Sequence, residues 1–154
     1  MDITDACPDC GAAWEGGITC AEHFHQMLFW EAEFPAYGEQ VHHLMVLCYH
    51  LQHPGLYTPE GLAHALGLLA DFVVRGLSPD DVRRRGRQQV DSGNRAWKVT
   101  GSEGRGRGSY DPPVDWTMTA ADVVAGGSDA YCDNVRRWAD SMVEALRAGG
   151  YLLA

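Results

Sequence analysis

Residues 41–54 read VHHLMVLCYHLQHP, four histidines and one cysteine (His42, His43, His50, His53 and Cys48) set into an otherwise apolar run. Residues this hydrophobic belong in a core, and a buried imidazole needs a hydrogen bond, a carboxylate or a metal ion. The stretch therefore reads as a core helix carrying a polar or metal site. Pro54 and Gly55 end it, and Glu39 is the expected start. Upstream, Cys20 to Phe34 reads as a first helix, stopped by Pro35 and Gly38. Phe24, Met27, Leu28, Glu31 and Phe34 share one stripe of it, so a carboxylate sits in the middle of an apolar face. The short link predicts an antiparallel hairpin folded about residues 36–37. That fold brings Cys20 to the end of the second helix near His53, and Glu31 to His42 and His43.

Downstream, Thr58-Pro59-Glu60 starts a third helix, with Thr58 as N-cap, and Gly76 stops it. Ser78-Pro79-Asp80-Asp81 repeats that start for a fourth helix to about Val90, made basic by Arg83, Arg84, Arg85 and Arg87. Residues 91–118, rich in Gly, Ser and Pro, read as a flexible loop anchored by Trp97, Val99 and Trp116. Thr119 to Asp122 resembles a short capped turn before Gly126 and Gly127. Tyr131, Val135, Trp138, Met142, Ala145 and Leu146 then recur at helical spacing in a last helix from Ser128 to about Ala148. The expected fold is all-α: a single-domain bundle of about five helices behind an N-terminal zinc knuckle. Its parts are knuckle and loop (1–19), hairpin plus two helices (20–90), Gly-rich loop (91–118) and closing helices (119–148).

Composition bounds the function. With 154 residues and 45% hydrophobic content the chain suits one core. A net charge of −9 argues against nucleic acid or an anionic membrane as partner. The longest apolar run, Leu44 to Leu51, is broken by histidine and falls far short of a bilayer span. MDITDACPDC has neither a basic nor an apolar leader region, so a cytoplasmic protein is expected. Five cysteines, three of them within the first twenty residues, do not form a secreted disulfide framework; in a reducing compartment they read as metal-binding or redox-active.

The strongest chemical signal is Cys7-x2-Cys10 followed by Gly11. This spacing lets two thiolates face one ion while backbone amides turn toward the sulfurs. Zinc takes four N or S donors in a tetrahedron, and Cys20 is the natural third. His53 is favoured as the fourth because it ties a coreless N-terminal segment to the far end of the second helix. His23, in C-x2-H spacing after Cys20 and one helical turn from it, is the rival local choice, with His25, Cys48 and His50 behind it. Without a metal, Cys7 and Cys10 would be a redox pair, although no βαβ pattern of the thioredoxin type surrounds them. Glu31 with His42 and His43 is the candidate catalytic cluster, against the plainer reading of a buried structural pair. Arg83 to Arg87 with Arg95, Trp97 and Lys98 read better as a solvated face than as a phosphate or RNA site. Gly101, Gly104, Gly106 and Gly108 do not lie between a strand and a helix, as a phosphate cradle requires.

CPDCGAAW (7–14), TCAEHFHQMLFWE (19–31), VHHLMVLCYHLQHPGLYTPEGL (41–62), DSGNRAWKV (91–99) and WTMTAADVVAGG (116–127) together resemble a family of small uncharacterised bacterial proteins. The resemblance spans most of the chain and implies a whole, recurrent protein; it adds no function and no catalytic residue. Two classes of function remain. One is a helical module with a closed structural zinc, acting as an accessory or regulatory protein on a protein or small-molecule partner. The other is a metal-dependent hydrolase or lyase built on the Glu31, His42 and His43 cluster.

Overall fold

A computed structural model describes residues 6–78, 80, 81, 84 and 107–152. Among them are five α-helices and no strand: α1 (Cys20–Glu33), α2 (Pro35–Gln52), α3 (Pro59–Val73), α4 (Ala120–Ala125) and α5 (Tyr131–Ala148). The one extended pairing is an isolated antiparallel bridge between Ala6 and Ala13. The protein is all-α.

Helix α1 starts at Thr19. Its hydroxyl accepts from the Glu22 amide at 3.3 Å, and the Glu22 carboxylate accepts from the Thr19 amide at 2.7 Å. This reciprocal pair satisfies two of the donors that a helix start leaves orphaned. The turn into α2 is tighter than the sequence suggests. Helix α2 begins at Pro35 instead of Glu39, and Phe34 alone separates the two helices. Proline suits the first helical position because its φ is preset and no N–H is lost there. Phe34 consequently leaves the core stripe and is 43% exposed.

Helix α2 is the hub, packing against α1, α3 and α5. It buries Val41, Met45, Cys48 and Gln52 along one line and Leu47 and Leu51 beside it. A helix covered on several sides has no strong polar face, which is why its sequence looks apolar nearly all round. Helix α5 is the opposite case. It buries Tyr131, Asn134, Val135, Trp138, Ala139, Met142, Val143 and Leu146, the alternating three- and four-residue spacing of one face, and closes the bundle over α2, α3 and α4.

Helix α3 is capped as its sequence dictates, with Gly61 N donating to the Thr58 hydroxyl at 3.0 Å. Ser78 and Asp81 exchange amide-to-side-chain hydrogen bonds, both 3.2 Å, as a helix start would. The remainder of the expected fourth helix, with Arg83, Arg85 and Arg87, lies outside the described residues, as do Arg95, Trp97, Lys98 and glycines 101, 104 and 106. Residues 107–118, read from sequence as part of the flexible loop, are instead tied to the end of α2. Gly108 N donates to Tyr57 O at 2.7 Å, Tyr110 OH to Leu51 O at 2.7 Å, and Gln52 Nε2 to Met118 O at 2.8 Å. Beyond this strap, Thr119 and Asp122 cap α4. No helix among the described residues is long and apolar enough to cross a membrane.

Candidate metal centre

The N-terminal segment folds back on itself before α1. Cys7 N donates to Ala12 O at 2.8 Å, Gly11 N to Cys7 O at 2.9 Å, and Cys10 N to the Cys7 sulfur at 3.5 Å. Gly11 adopts φ +78°, a left-handed conformation that glycine enters at little cost. The turn points both knuckle sulfurs inward. Cys20, first residue of α1, and His53, the C-cap of α2, complete the group. The four ligand atoms lie within 4.8 Å of one another, and all four residues are buried.

The spacing of these atoms can be tested against an ion. Cys10 Sγ is 3.6 Å from Cys20 Sγ, and Cys7 Sγ is 3.5 Å from His53 Nε2. A tetrahedron with metal–sulfur bonds of about 2.3 Å and metal–nitrogen bonds of about 2.05 Å has S···S edges of roughly 3.8 Å and S···N edges of roughly 3.6 Å. The donors therefore already stand close to the separations a tetrahedral ion demands. His53 Nδ1 lies 2.7 Å from Tyr49 O. Donating a proton there leaves Nε2 with the lone pair facing the sulfurs, the usual outer support of a metal-bound histidine. The Trp14 indole N–H donates to Cys20 Sγ at 3.4 Å. The Tyr49 ring lies tilted on that of His53 at 4.3 Å and stacks on Phe24 at 4.5 Å, packing against both the cysteine cluster and the main core.

Electrostatics mark these groups as a coupled set. The hydrogen bond from Cys10, helped by His53 and Trp14, pulls the Cys20 thiol down to about 4 against the cost of burial. Cys10 is pushed up, first by giving its proton to that bond and then by burial. Burial raises Cys7. Burial works against charge on His53, but hydrogen bonds to Cys20 and to the Tyr49 carbonyl raise it overall. One thiolate is thus held in place by protons that a metal cation would replace. Cys7, Cys10, Cys20 and His53 lie together and could hold a metal ion.

The other sequence candidates fall elsewhere. His23 is not in the cluster, nor are His25, Cys48 and His50. Cys48 is wholly buried in the main core, where desolvation pushes its thiol far up. At the opposite end of the hairpin, His42 Nδ1 is 2.6 Å from Glu31 Oε1. Tyr131 OH donates a short hydrogen bond to Glu31 Oε2. Burial, with the Glu31 carboxylate beside it, lifts the Tyr131 hydroxyl well above the usual phenol range, so it remains a donor. His43 stands edge-on to the His42 ring at 5.7 Å. The sequence reading missed Tyr131, which sits in an apolar stripe one hundred residues from Glu31. It also missed Trp14, although that indole lies only six residues before Cys20.

Fold and site together define a helical protein with a buried cluster of three cysteines and one histidine that could hold a metal ion. The chain belongs to the Family of unknown function (DUF5946), whose model matches residues 5–147. No curated protein and no solved structure matches it.

Proposed function

We propose that the protein is a small helical binding module, accessory or regulatory in role, whose fold is held by one structural zinc ion on Cys7, Cys10, Cys20 and His53. The observation that carries this reading is a donor set supplied wholly by the chain and buried at every member. Three thiolates and an imidazole in a tetrahedron suit zinc better than magnesium or calcium, which take oxygen. Four protein ligands leave no position for a water or substrate, and a closed site of that kind stabilises a fold instead of running a reaction. The metal would join three separate pieces of chain: the knuckle, the start of α1 and the end of α2. All five cysteines are free, which suits the reducing cytoplasm.

Elemental analysis of tag-free protein, with Cys10→Ser alongside, tests this. The expected result is one zinc per chain, lost in the variant together with a melting temperature lower by many degrees. A zinc-free wild-type protein, or a variant as stable as wild type, overturns it.

A second reading, a metal-dependent hydrolase or lyase, is supported by Glu31, His42 and Tyr131. Glu31 is buried with both oxygens bonded, and the His42 side chain is 43% exposed. A carboxylate holding one ring nitrogen leaves the other free to accept a proton or a ligand. Metal that persists after Cys10→Ser and disappears with His42→Ala would bring this reading forward.

A further inference from the structure

Two clefts meet at the knuckle. The smaller, about 350 Å³, has Cys7, Asp9 and Gly11 on one side and Val114, Asp115 and Trp116 on the other. The larger, about 480 Å³, runs from the same Cys10–Gly11 turn and Trp116 toward Glu15, Ile18 and Asp122. Because they share Cys10, Gly11 and Trp116, they form one groove divided by an indole. Trp116 is half-buried, packed on the cysteine cluster and braced edge-on by Tyr110 at 5.7 Å.

Trp116 gives both clefts an aromatic wall, and the charged residues of their lining specify the sign of the ligand. Both charged residues of the smaller cleft are carboxylates, Asp9 and Asp115, and both are exposed. Glu15 and Asp122 add two more in the larger cleft, the latter already engaged in capping Thr119. Among the described residues lining either cleft there is no lysine or arginine. On the zinc reading above, three thiolates around a divalent ion leave one net negative charge beneath the floor of the groove. A guanidinium fits all of these features: it stacks its plane on an indole and pairs by hydrogen bonds with carboxylates. An ammonium satisfies the charge without the stacking.

We propose that this groove docks an arginine-bearing segment of a partner protein, with the guanidinium on the Trp116 face and Asp9 and Asp115 as its counter-ions. Ile18, 47% exposed at the far end, offers an apolar seat for a neighbouring residue of the same segment. The overall charge of −9 would draw such a segment in from a distance.

The test uses the zinc-loaded full chain and the capped peptide acetyl-Gly-Arg-Gly-Arg-Gly-amide at low ionic strength. Binding is followed by the Trp116 indole N–H signal in NMR, with the glutamine analogue of the peptide as control. Saturable binding of the arginine peptide that shifts Trp116 is expected, and Asp9→Asn with Asp115→Asn should weaken it about fivefold or more. Glu33→Gln with Glu144→Gln removes the same two charges from exposed positions elsewhere and should change affinity less than about twofold. Asp115→Asn alone, outside the knuckle, should give an intermediate loss. Absence of saturable binding, equal loss in both double variants, or equal binding of the glutamine peptide each overturns the proposal. So does a self-associated chain that Asp115→Asn dissociates, since the occupant would then be a second copy. Zinc content measured on every sample separates the two claims: zinc present without peptide binding sinks the docking site alone, and peptide binding without zinc sinks the metal reading alone.

Discussion

Cys20 differs from the other two cysteines of the cluster in its proton. Its thiol is pulled down to about 4 and is already a thiolate at neutral pH, while Cys7 and Cys10 are pushed up and stay protonated. Zinc binding would therefore displace the protons of Cys7 and Cys10, and any that His53, whose pKa is raised, holds on the nitrogen facing the sulfurs. Between about two and three protons should appear per zinc bound near pH 7, and apparent affinity should fall by at least about a hundredfold for each pH unit of acidification. Calorimetry in two buffers of different ionisation enthalpy counts them; one proton or none would contradict the coupled-thiol picture. Glu31 is the second residue whose chemistry can be read singly. Glu31→Gln keeps the shape but replaces one of two accepting oxygens with a donor facing Tyr131 OH or His42. The expected cost is about 1–3 kcal/mol in urea unfolding with zinc content unchanged. Zinc loss in that variant would mean that the two ends of the hairpin are not separate sites.

At the scale of elements, the strap over the end of α2 is the part least like its sequence. Its glycines and prolines look like a flexible link, and composition alone cannot reveal that Gly108 fits against another backbone. A Cβ on Gly108 would lie 2.9 Å from Pro54 O and 3.2 Å from Leu62 Cδ2. Gly108→Ala should therefore destabilise the protein by about 1–3 kcal/mol, measured by chemical denaturation; a neutral substitution would mean that the strap lifts readily. Helices were far more legible. Thr58 with Pro59, Thr119 with Asp122 and the stripe of α5 each carry a local signal, because caps and amphipathic faces are fixed within a few residues of sequence. The start of α2 was misread because proline stops one helix as readily as it starts the next, and only the packing of the hairpin decides between the two. The cysteine–histidine cluster was partly legible for a different reason. Cys7 and Cys10 identify themselves by spacing, whereas choosing His53 over His23 needed the hairpin to be folded first, and no local feature points to Trp14 as a donor to Cys20.

Across the whole molecule, the described helices share one apolar core, and the knuckle with its own small cluster sits outside it. The knuckle's own buried cluster is only Cys7, Cys10, Ala12 and Cys20, so on the zinc reading its attachment should depend on the ion. A chelator added to the zinc-loaded protein should expose Trp14 and Cys10 to solvent, read as tryptophan emission and thiol labelling, while helical circular dichroism from α3 and α5 falls much less. Coincident loss of both signals would show that the metal holds the entire bundle. Helix α2 carries His42 near its middle, and His53 caps its C-terminal end eleven residues further on. At 1.5 Å per residue the separation is about 16 Å. Cobalt in place of zinc would make that helix a ruler: a paramagnetic centre at a fixed distance from the His42 ring, whose NMR relaxation would report any bending of α2 as a change in length.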